Sequence, residues 1–151
     1  MIQAWRIVKP EYADEAFSGE GAALHGGRWN TRGQPVVYTA SSLSLATLEL
    51  LVGVRRVQRL PEYVAIQCSF PEALVRFVGP LPEDWAGYPA PPMVQTIGDS
   101  WLLSHTSAVL AVPSAIIQFE FNYLLNPDHP DFRSIDIGKP TPFRLDYRLL
   151  T

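Results

Sequence analysis

The sequence has little cysteine and little excess charge, and both shortages exclude classes of protein. Its 151 residues contain one cysteine, Cys68, so no disulfide can form within the chain. The formal net charge of −3 gives no long-range attraction to nucleic acid phosphates or to anionic membrane surfaces. A bound anion would therefore need arginines placed locally. We expect neither a nucleic acid nor a membrane as a direct partner.

The amino-terminal residues also lack the features of a targeting segment. The start MIQAWRIVKPEYADE has neither the apolar core of a signal peptide nor a spanning helix. A lone cysteine is ordinary in a reducing compartment, where disulfides are rare. Together these features predict a cytoplasmic protein.

Common nucleotide-binding and metal-binding motifs are absent. The run GEGAAL at 19–24 lacks the third glycine of a Rossmann fingerprint, and no GxxxxGK[ST] run appears. The histidines are scattered, without an HExxH pattern, and a single cysteine excludes a CxxC pair. Asp128, His129 and Asp131 could approach a cation, but an Asp-His-Pro cluster is more typical of turns. We therefore expect no metal.

What the sequence does contain predicts a compact α+β fold. A hydrophobic content of 47% in 151 residues is typical of a single core, so we expect one domain over residues 1–151. Fourteen prolines and ten glycines favour short strands and frequent turns over a helical bundle. Hydrophobic periodicity predicts weak helix at 11–24, helices at 42–54 and 93–105, and strands at 2–8, 35–40, 63–70, 74–79, 108–113, within 116–132, and at 142–150.

Several polar side chains stand in apolar surroundings. Glu49 lies in the apolar helix at 42–54, where Leu45, Leu48 and Val52 share one face by their spacing. A carboxylate in such a run needs a partner or a cleft. Ser114 follows the buried strand at 108–113, and functional side chains often lie at strand ends.

Three patches, taken together, resemble the RES-domain family, which is named for its Arg, Glu and Ser. The resemblance runs from Trp5-Arg6 to the terminal FRLDYRL. The order and spacing of the patches make the combination more specific than any one of them. The patches are GGRWN at 26–30 with PVVYTAS at 35–41, ATLELL at 46–51, and VPSAI at 112–116 with NYLLNPDHP at 122–130.

The resemblance implies a fold related to ADP-ribosyltransferases, with mixed or antiparallel sheets and a few helices. It also implies a toxin that consumes NAD as a substrate, by hydrolysis or phosphorolysis, and that needs no other cofactor. Members are typically encoded beside an Xre-type helix-turn-helix antitoxin. A homodimer of toxins held by antitoxin chains is therefore expected.

By motif position, Arg28, Glu49 and Ser114 correspond to the family's catalytic residues, and Tyr38 to its aromatic residue. Breaking a nicotinamide–ribose bond develops positive charge on the ribose, which a carboxylate stabilises. An arginine donates two parallel hydrogen bonds to a phosphate or ribose oxygen. The further candidates for substrate binding are Arg6, Trp29 and Asn122.

Other interpretations remain open at this point. Arg28 and Glu49 could form a structural salt bridge, and Tyr38 could be a half-buried strand residue. The same chemistry could transfer ADP-ribose to a protein, or the chain could be a non-catalytic partner of a DNA-binding regulator. Direct DNA binding has the least support, because the only basic cluster is Arg55, Arg56 and Arg59, which suits a solvated helix end.

Overall fold

The computed structural model describes residues 1–53 and 62–150, which form a mixed sheet with helices packed against it. Short 3-10 helices at Pro10–Glu15, Glu72–Leu74, Pro130–Ser134 and Tyr147–Leu150 connect the larger elements. The α-helices are α1 (Glu20–His25), α2 (Leu43–Gly53) and α3 (Pro92–Ser104). The strands are β1 (Ile2–Val8), β2 (Val37–Ala40), β3 (Tyr63–Phe70), β4 (Val75–Phe77), β5 (Val109–Pro113), β6 (Phe121–Leu125), β7 (Asp136–Ile137) and β8 (Thr141–Phe143).

The strands follow the order β4-β5-β6-β2-β1-β3-β7, and β8 also pairs with β3. Within the described ranges, β4 and β5 pair in parallel and the other neighbours are antiparallel. This arrangement confirms the α+β class and the mixed sheet that the sequence predicts.

The sheet is weakest between β1 and β2, near its middle. β1 pairs with β3 over seven positions, whereas the ladder between β1 and β2 contains the single pair Trp5 and Ala40. Beyond that pair the two strands separate. The Arg6 side chain lies at the separation, and its Nη1 donates to the Tyr38 carbonyl oxygen at 3.0 Å. A side chain therefore joins the strands where backbone hydrogen bonds do not.

Two of the apolar clusters lie at the sheet, and one of them holds α3 close to the loop between α1 and β2. One cluster includes Phe70, Val109 and Leu125. The other contains Trp29, Val94, Trp101 and Leu110 among its buried members. It joins the loop that carries Trp29 to α3 and to the sheet, so this loop is part of the core.

The predicted elements agree with the structure over most of the sheet. The strands at 2–8 and 63–70 are confirmed residue for residue, and the helix at 42–54 is confirmed as α2 over Leu43–Gly53, with Val54 outside the described residues. Its start agrees with the expected serine cap, because Ser42 Oγ accepts from the Leu45 backbone N–H at 3.0 Å.

Two of the predicted elements are wrong. The weak helix at 11–24 is split into a 3-10 helix and α1, because Gly19 takes a left-handed conformation with φ of 79° between them. The final strand at 142–150 ends at Phe143, and Asp146 starts a 3-10 turn by accepting from the Arg148 backbone N–H at 2.9 Å. This local hydrogen bond overrides the alternating apolar pattern.

The predicted apolar face of α2 is also wrong. Leu45 is buried, but Leu48 is 40% and Val52 is 68% exposed. The helix instead turns Ala46, Glu49 and Leu50 toward a pocket in the sheet, and Leu45 packs beside them. A nearly all-apolar helix gives no strong contrast between its faces, which explains the error.

The basic cluster at Arg55, Arg56 and Arg59 lies outside the described residues. No helix in the described ranges is both long and apolar enough to cross a bilayer.

The packing of α3 against the Trp29 loop generates a prediction about stability. A Cβ atom at Gly98 would lie 1.7 Å from the Trp29 carbonyl oxygen, so Gly98→Ala must push the helix away from the loop. We expect the free energy of unfolding to fall by at least about 2 kcal/mol. Urea denaturation measures this loss.

Gly21→Ala is the matched control, because a Cβ atom there meets nothing within 4 Å and Gly21 also lies in a helix. Alanine there should leave stability unchanged or raise it by up to about 1 kcal/mol. Equal effects of the two substitutions would contradict the described packing.

Candidate active site

A pocket of about 260 Å³ opens where β1 and β2 separate. Its walls come from β1, β2, α2, β6 and the loop before β2. Six of the seven candidate residues that the sequence predicts lie in the wall of this pocket, and Ser114 lies directly behind the wall. The lining residues include Trp5, Arg6, Arg28, Trp29, Tyr38, Glu49, Leu50 and Asn122.

A hydrogen bond between Ser114 and Glu49 fixes the carboxylate at the pocket wall. Ser114 Oγ donates to Glu49 Oε1 at 2.8 Å. The same oxygen accepts from the backbone N–H groups of Ile116 and Ile117 at 3.2 and 3.1 Å, which orients the hydroxyl. Ser114 is fully buried, so it does not reach the pocket itself. The geometry makes Ser114 a positioning residue for Glu49.

Arg28 is held by the proline-rich loop before α3. Its Nη1 donates to the carbonyl oxygens of Trp85 and Gly87, both at 2.9 Å. These two bonds fix one nitrogen of the guanidinium, while the side chain still lines the pocket. No ion pair joins Arg28 to Glu49, so the structural salt bridge considered above is absent.

Arg6 supplies a second cation, and burial lowers the pKa of its guanidinium. Its Nη1 bonds the Tyr38 carbonyl oxygen, and its buried Nε has no hydrogen-bond partner among the described residues. Neither Arg6 nor Arg28 has a carboxylate partner there. Among the described residues, neither pocket cation is ion-paired, and an anionic ligand can therefore contact both.

Tyr38 lines the pocket with its ring and supports the Arg28 loop with its hydroxyl. The hydroxyl donates to Asn30 Oδ1 at 2.5 Å and accepts from the Trp29 backbone N–H at 3.0 Å. Burial raises the pKa of Tyr38 well above its usual range, and the Trp29 N–H opposes the rise more weakly. The ring is therefore neutral at physiological pH. A Cβ atom at Gly27 would lie 2.7 Å from this hydroxyl, so the loop requires glycine there.

Helix α3 clamps the same loop from the other side. Gln95 Nε2 donates to the Gly27 carbonyl oxygen at 2.9 Å. Four residues later, Asp99 accepts from the Thr31 backbone N–H at 3.0 Å and from the Thr31 hydroxyl at 2.6 Å. Residues four apart on a helix share a face, so one side of α3 holds both ends of the loop.

Asn30 is a structural residue that the sequence analysis missed. It is fully buried, and its Nδ2 donates to the carbonyl oxygens of Ala22 and Gln34 at 2.9 and 3.0 Å. Its position in the GGRWN patch was the available signal. Gln95 and Asp99 gave no such signal, because they lie far along the chain from the loop they hold.

The remaining two candidates, Trp29 and Asn122, differ in burial and in hydrogen bonding. Trp29 is almost wholly buried and packs against Trp85 with ring centroids 6.4 Å apart, so it mainly builds the pocket wall. Asn122 lies on β6, and its Nδ2 makes a long 3.3 Å bond to the Thr39 carbonyl oxygen. Its amide oxygen has no bond to a described residue.

The turn at Asp128 to Asp131 does not have the geometry of a metal site. His129 uses both ring nitrogens, because Nε2 bonds the His105 carbonyl oxygen at 2.9 Å and Nδ1 accepts from the Asp131 backbone N–H at 3.0 Å. In the part of the chain that the structure describes, no three His, Cys, Asp or Glu side chains cluster as metal ligands would.

Together these residues form a prearranged site with cations and a carboxylate around one small space. Such an arrangement can bind an anion and can stabilise positive charge beside the carboxylate. Ser114 orients the carboxylate and α3 holds the loop from Gly27 to Thr31, so these groups are already in position.

Known proteins resemble the chain in sequence and in fold. A family model described as "RES domain" matches residues 3–146. "Toxin Res" of Yersinia enterocolitica is 38% identical over 98% of this chain and 99% of its own length. "Prs ADP-ribosylating toxin" of a Sphingobium species is 36% identical over 97% of this chain and 95% of its own length.

Among solved structures, a chain of the Mycobacterium tuberculosis MbcT-MbcA toxin-antitoxin complex superposes with a TM-score of 0.76. The match covers 93% of this chain and 83% of that chain, at 16% sequence identity. At this identity the likeness concerns the fold alone.

The Tyr38 hydroxyl generates a second prediction about stability. Tyr38→Phe removes the partner of both the Asn30 amide oxygen and the Trp29 N–H, and leaves two buried polar atoms without hydrogen bonds. We expect a loss of about 1–3 kcal/mol in the free energy of unfolding. Tyr123→Phe is the control, because its hydroxyl makes no hydrogen bond with a described residue, and an equal loss in both variants would contradict the assigned role.

Proposed function

The chain belongs to the RES-domain family, and we propose that it is the toxin of a toxin–antitoxin pair that cleaves the nicotinamide–ribose bond of NAD. Two relatives that match this chain over nearly their whole length are named as toxins. The observation that carries the proposal is the meeting of Glu49, fixed by Ser114, with Arg6 and Arg28 around one pocket.

The pocket suits the charges of NAD. The diphosphate is anionic, and Arg6 and Arg28 are cations without carboxylate partners among the described residues. The Tyr38 ring offers an apolar wall for the nicotinamide plane. Glu49 accepts from a ribose hydroxyl or faces the ribose carbon that becomes cationic.

The reaction needs a carboxylate more than it needs an acid. When the bond between the ribose carbon and the nicotinamide nitrogen breaks, the electron pair moves to the nitrogen, and nicotinamide leaves neutral. The ribose becomes oxocarbenium-like and is stabilised by Glu49. Ser114 holds Glu49 Oε1, which leaves the other carboxylate oxygen for the substrate. Water then adds to the ribose carbon and loses a proton to solvent, or hydrogen phosphate adds through an anionic oxygen without losing one.

A second candidate is transfer of ADP-ribose to a protein side chain. The Sphingobium relative, which is named as an ADP-ribosylating toxin, favours it. The same ribose cation would be trapped by the acceptor protein instead of by water or phosphate. Intact-mass analysis of extract proteins after exposure to toxin and NAD separates the two, since a stable gain of one ADP-ribose appears only with transfer.

We further propose an Xre-type helix-turn-helix antitoxin as the partner, with two toxin copies in the complex. Support comes from the fold shared with a chain of a solved toxin–antitoxin complex. Co-expression with the product of a small neighbouring helix-turn-helix gene tests this, because the partner should co-purify and restore growth. Independent elution of the two proteins would contradict it.

The role of Glu49 gives a prediction about activity. Glu49→Gln keeps an oxygen for the Ser114 hydroxyl to donate to, so the fold should persist, but it removes the negative charge. We expect nicotinamide release to fall by about 100-fold or more and toxicity to cells to fall with it. The control is Glu72→Gln, an exposed glutamate outside the pocket, which should behave as wild type.

Unchanged toxicity of Glu49→Gln, with the folded protein present at normal levels, would favour a non-catalytic module that acts only by binding a DNA-binding regulator.

Ser114 gives a prediction that separates positioning of Glu49 from substrate binding. Ser114→Ala frees Glu49 from its hydrogen bond without touching the arginines that hold the substrate. We expect kcat to fall about tenfold or more and KM for NAD to change little. Steady-state kinetics of the folded variant measures kcat and KM separately. A rise of KM with unchanged kcat would show that Ser114 serves binding instead.

A further inference from the structure

A second, larger depression adjoins the pocket, and the proposed function does not yet use it. This outer groove has a volume of about 850 Å³ and lies between β1, α1 and α2. It shares Arg6 and Glu49 with the pocket, so the two spaces meet at these side chains. Further residues that line the outer groove are Lys9, Tyr12, Glu15, Glu20 and Leu24.

The volumes show that the pocket alone is too small for a whole dinucleotide. Sites for drug-sized ligands usually measure about 300–1,000 Å³. The pocket, at about 260 Å³, falls below that range, whereas the adjoining groove lies within it. A substrate of two nucleosides joined by a diphosphate must therefore extend from the pocket into a neighbouring space.

The chemistry of the outer groove matches an adenosine. Tyr12, which is 53% exposed, and Leu24 both line the groove, and they offer an aromatic ring and an apolar side chain to a purine. The carboxylates of Glu15 and Glu20 make no bond with a described side chain and can accept from ribose hydroxyls, as acidic residues do in other dinucleotide sites.

The junction between the two spaces carries one cation, Arg6, and one carboxylate, Glu49. Arg6 contributes to both, and Lys9 lines the outer groove near it in sequence. A diphosphate that crosses from one space to the other would pass these cations. Arg6 can pair with the diphosphate there, and Glu49 can face the ribose on the pocket side.

We propose that the outer groove binds the adenosine half of the dinucleotide, with adenine stacked on Tyr12 and the diphosphate at Arg6. This inference rests on the proposed function, because it assigns the second half of the same substrate.

The test compares two substrates that differ only in this half. Nicotinamide mononucleotide keeps the nicotinamide, its ribose and one phosphate, but lacks the adenosine monophosphate of NAD. Tyr12→Ala should raise KM for NAD about tenfold and leave KM for the mononucleotide nearly unchanged. Tyr12→Phe should preserve KM for NAD, because the ring remains.

Tyr147→Ala is the control, because Tyr147 is an exposed tyrosine that does not line the groove. This substitution should change neither KM for NAD nor KM for the mononucleotide.

A direct binding measurement separates failure of the inference from failure of the proposed function. Calorimetric titration with adenosine monophosphate should show binding to the wild type and weakened binding to Tyr12→Ala. If the protein cleaves neither substrate yet binds this nucleotide through Tyr12, the proposed function fails and the groove assignment stands.

Absence of nucleotide binding by the wild type would overturn the inference. So would an equal rise of KM for both substrates in Tyr12→Ala, or no rise for either. If NAD were still cleaved in those cases, the outer groove would be free for an acceptor protein.

Discussion

The near-absence of a backbone ladder between β1 and β2 is the constraint on which the site depends. One residue pair, Trp5 with Ala40, joins the two strands, while β1 pairs with β3 over seven positions. The separation makes room for a pocket inside a sheet that would otherwise be closed. It also places Arg6 at the opening, where its guanidinium bonds the Tyr38 carbonyl oxygen.

The rest of the fold holds charged groups at that opening in fixed positions. A buried cation without a carboxylate partner is costly, so Arg6, which has none among the described residues, gains from an anion that enters, and the partly buried Arg28 can contact the same anion. Their own protein partners are carbonyl oxygens, which orient a guanidinium without neutralising it. In the same pocket, Ser114 fixes Glu49. These charges support the proposed substrate, which brings negative charge and would develop positive charge on its ribose.

Local sequence identified the residues at the pocket, and long-range contacts determined what holds them. Six of the seven candidates line one pocket, because the family patches contain the side chains that face it. The α3 residues Gln95 and Asp99 could not be found this way, since they contact the loop about 68 residues away in the chain. Their role depends on tertiary packing, which no local pattern encodes.

The errors in secondary structure have a similar origin. The final strand was predicted from alternation alone, but the Asp146 side chain bonds the Arg148 backbone and starts a turn. In α2, apolar residues on every side concealed which face meets the sheet, and Val52 proved exposed. Hydrophobic pattern predicts an element well where one face is clearly polar, and poorly where short-range hydrogen bonds or uniform hydrophobicity remove that contrast.

We propose that this pocket breaks the bond between nicotinamide and ribose. Chromatography of NAD incubated with the purified wild-type protein identifies the bond that breaks. We expect one free nicotinamide for each NAD lost. Intact NAD after prolonged incubation, or cleavage at the diphosphate to give two mononucleotides, would contradict it.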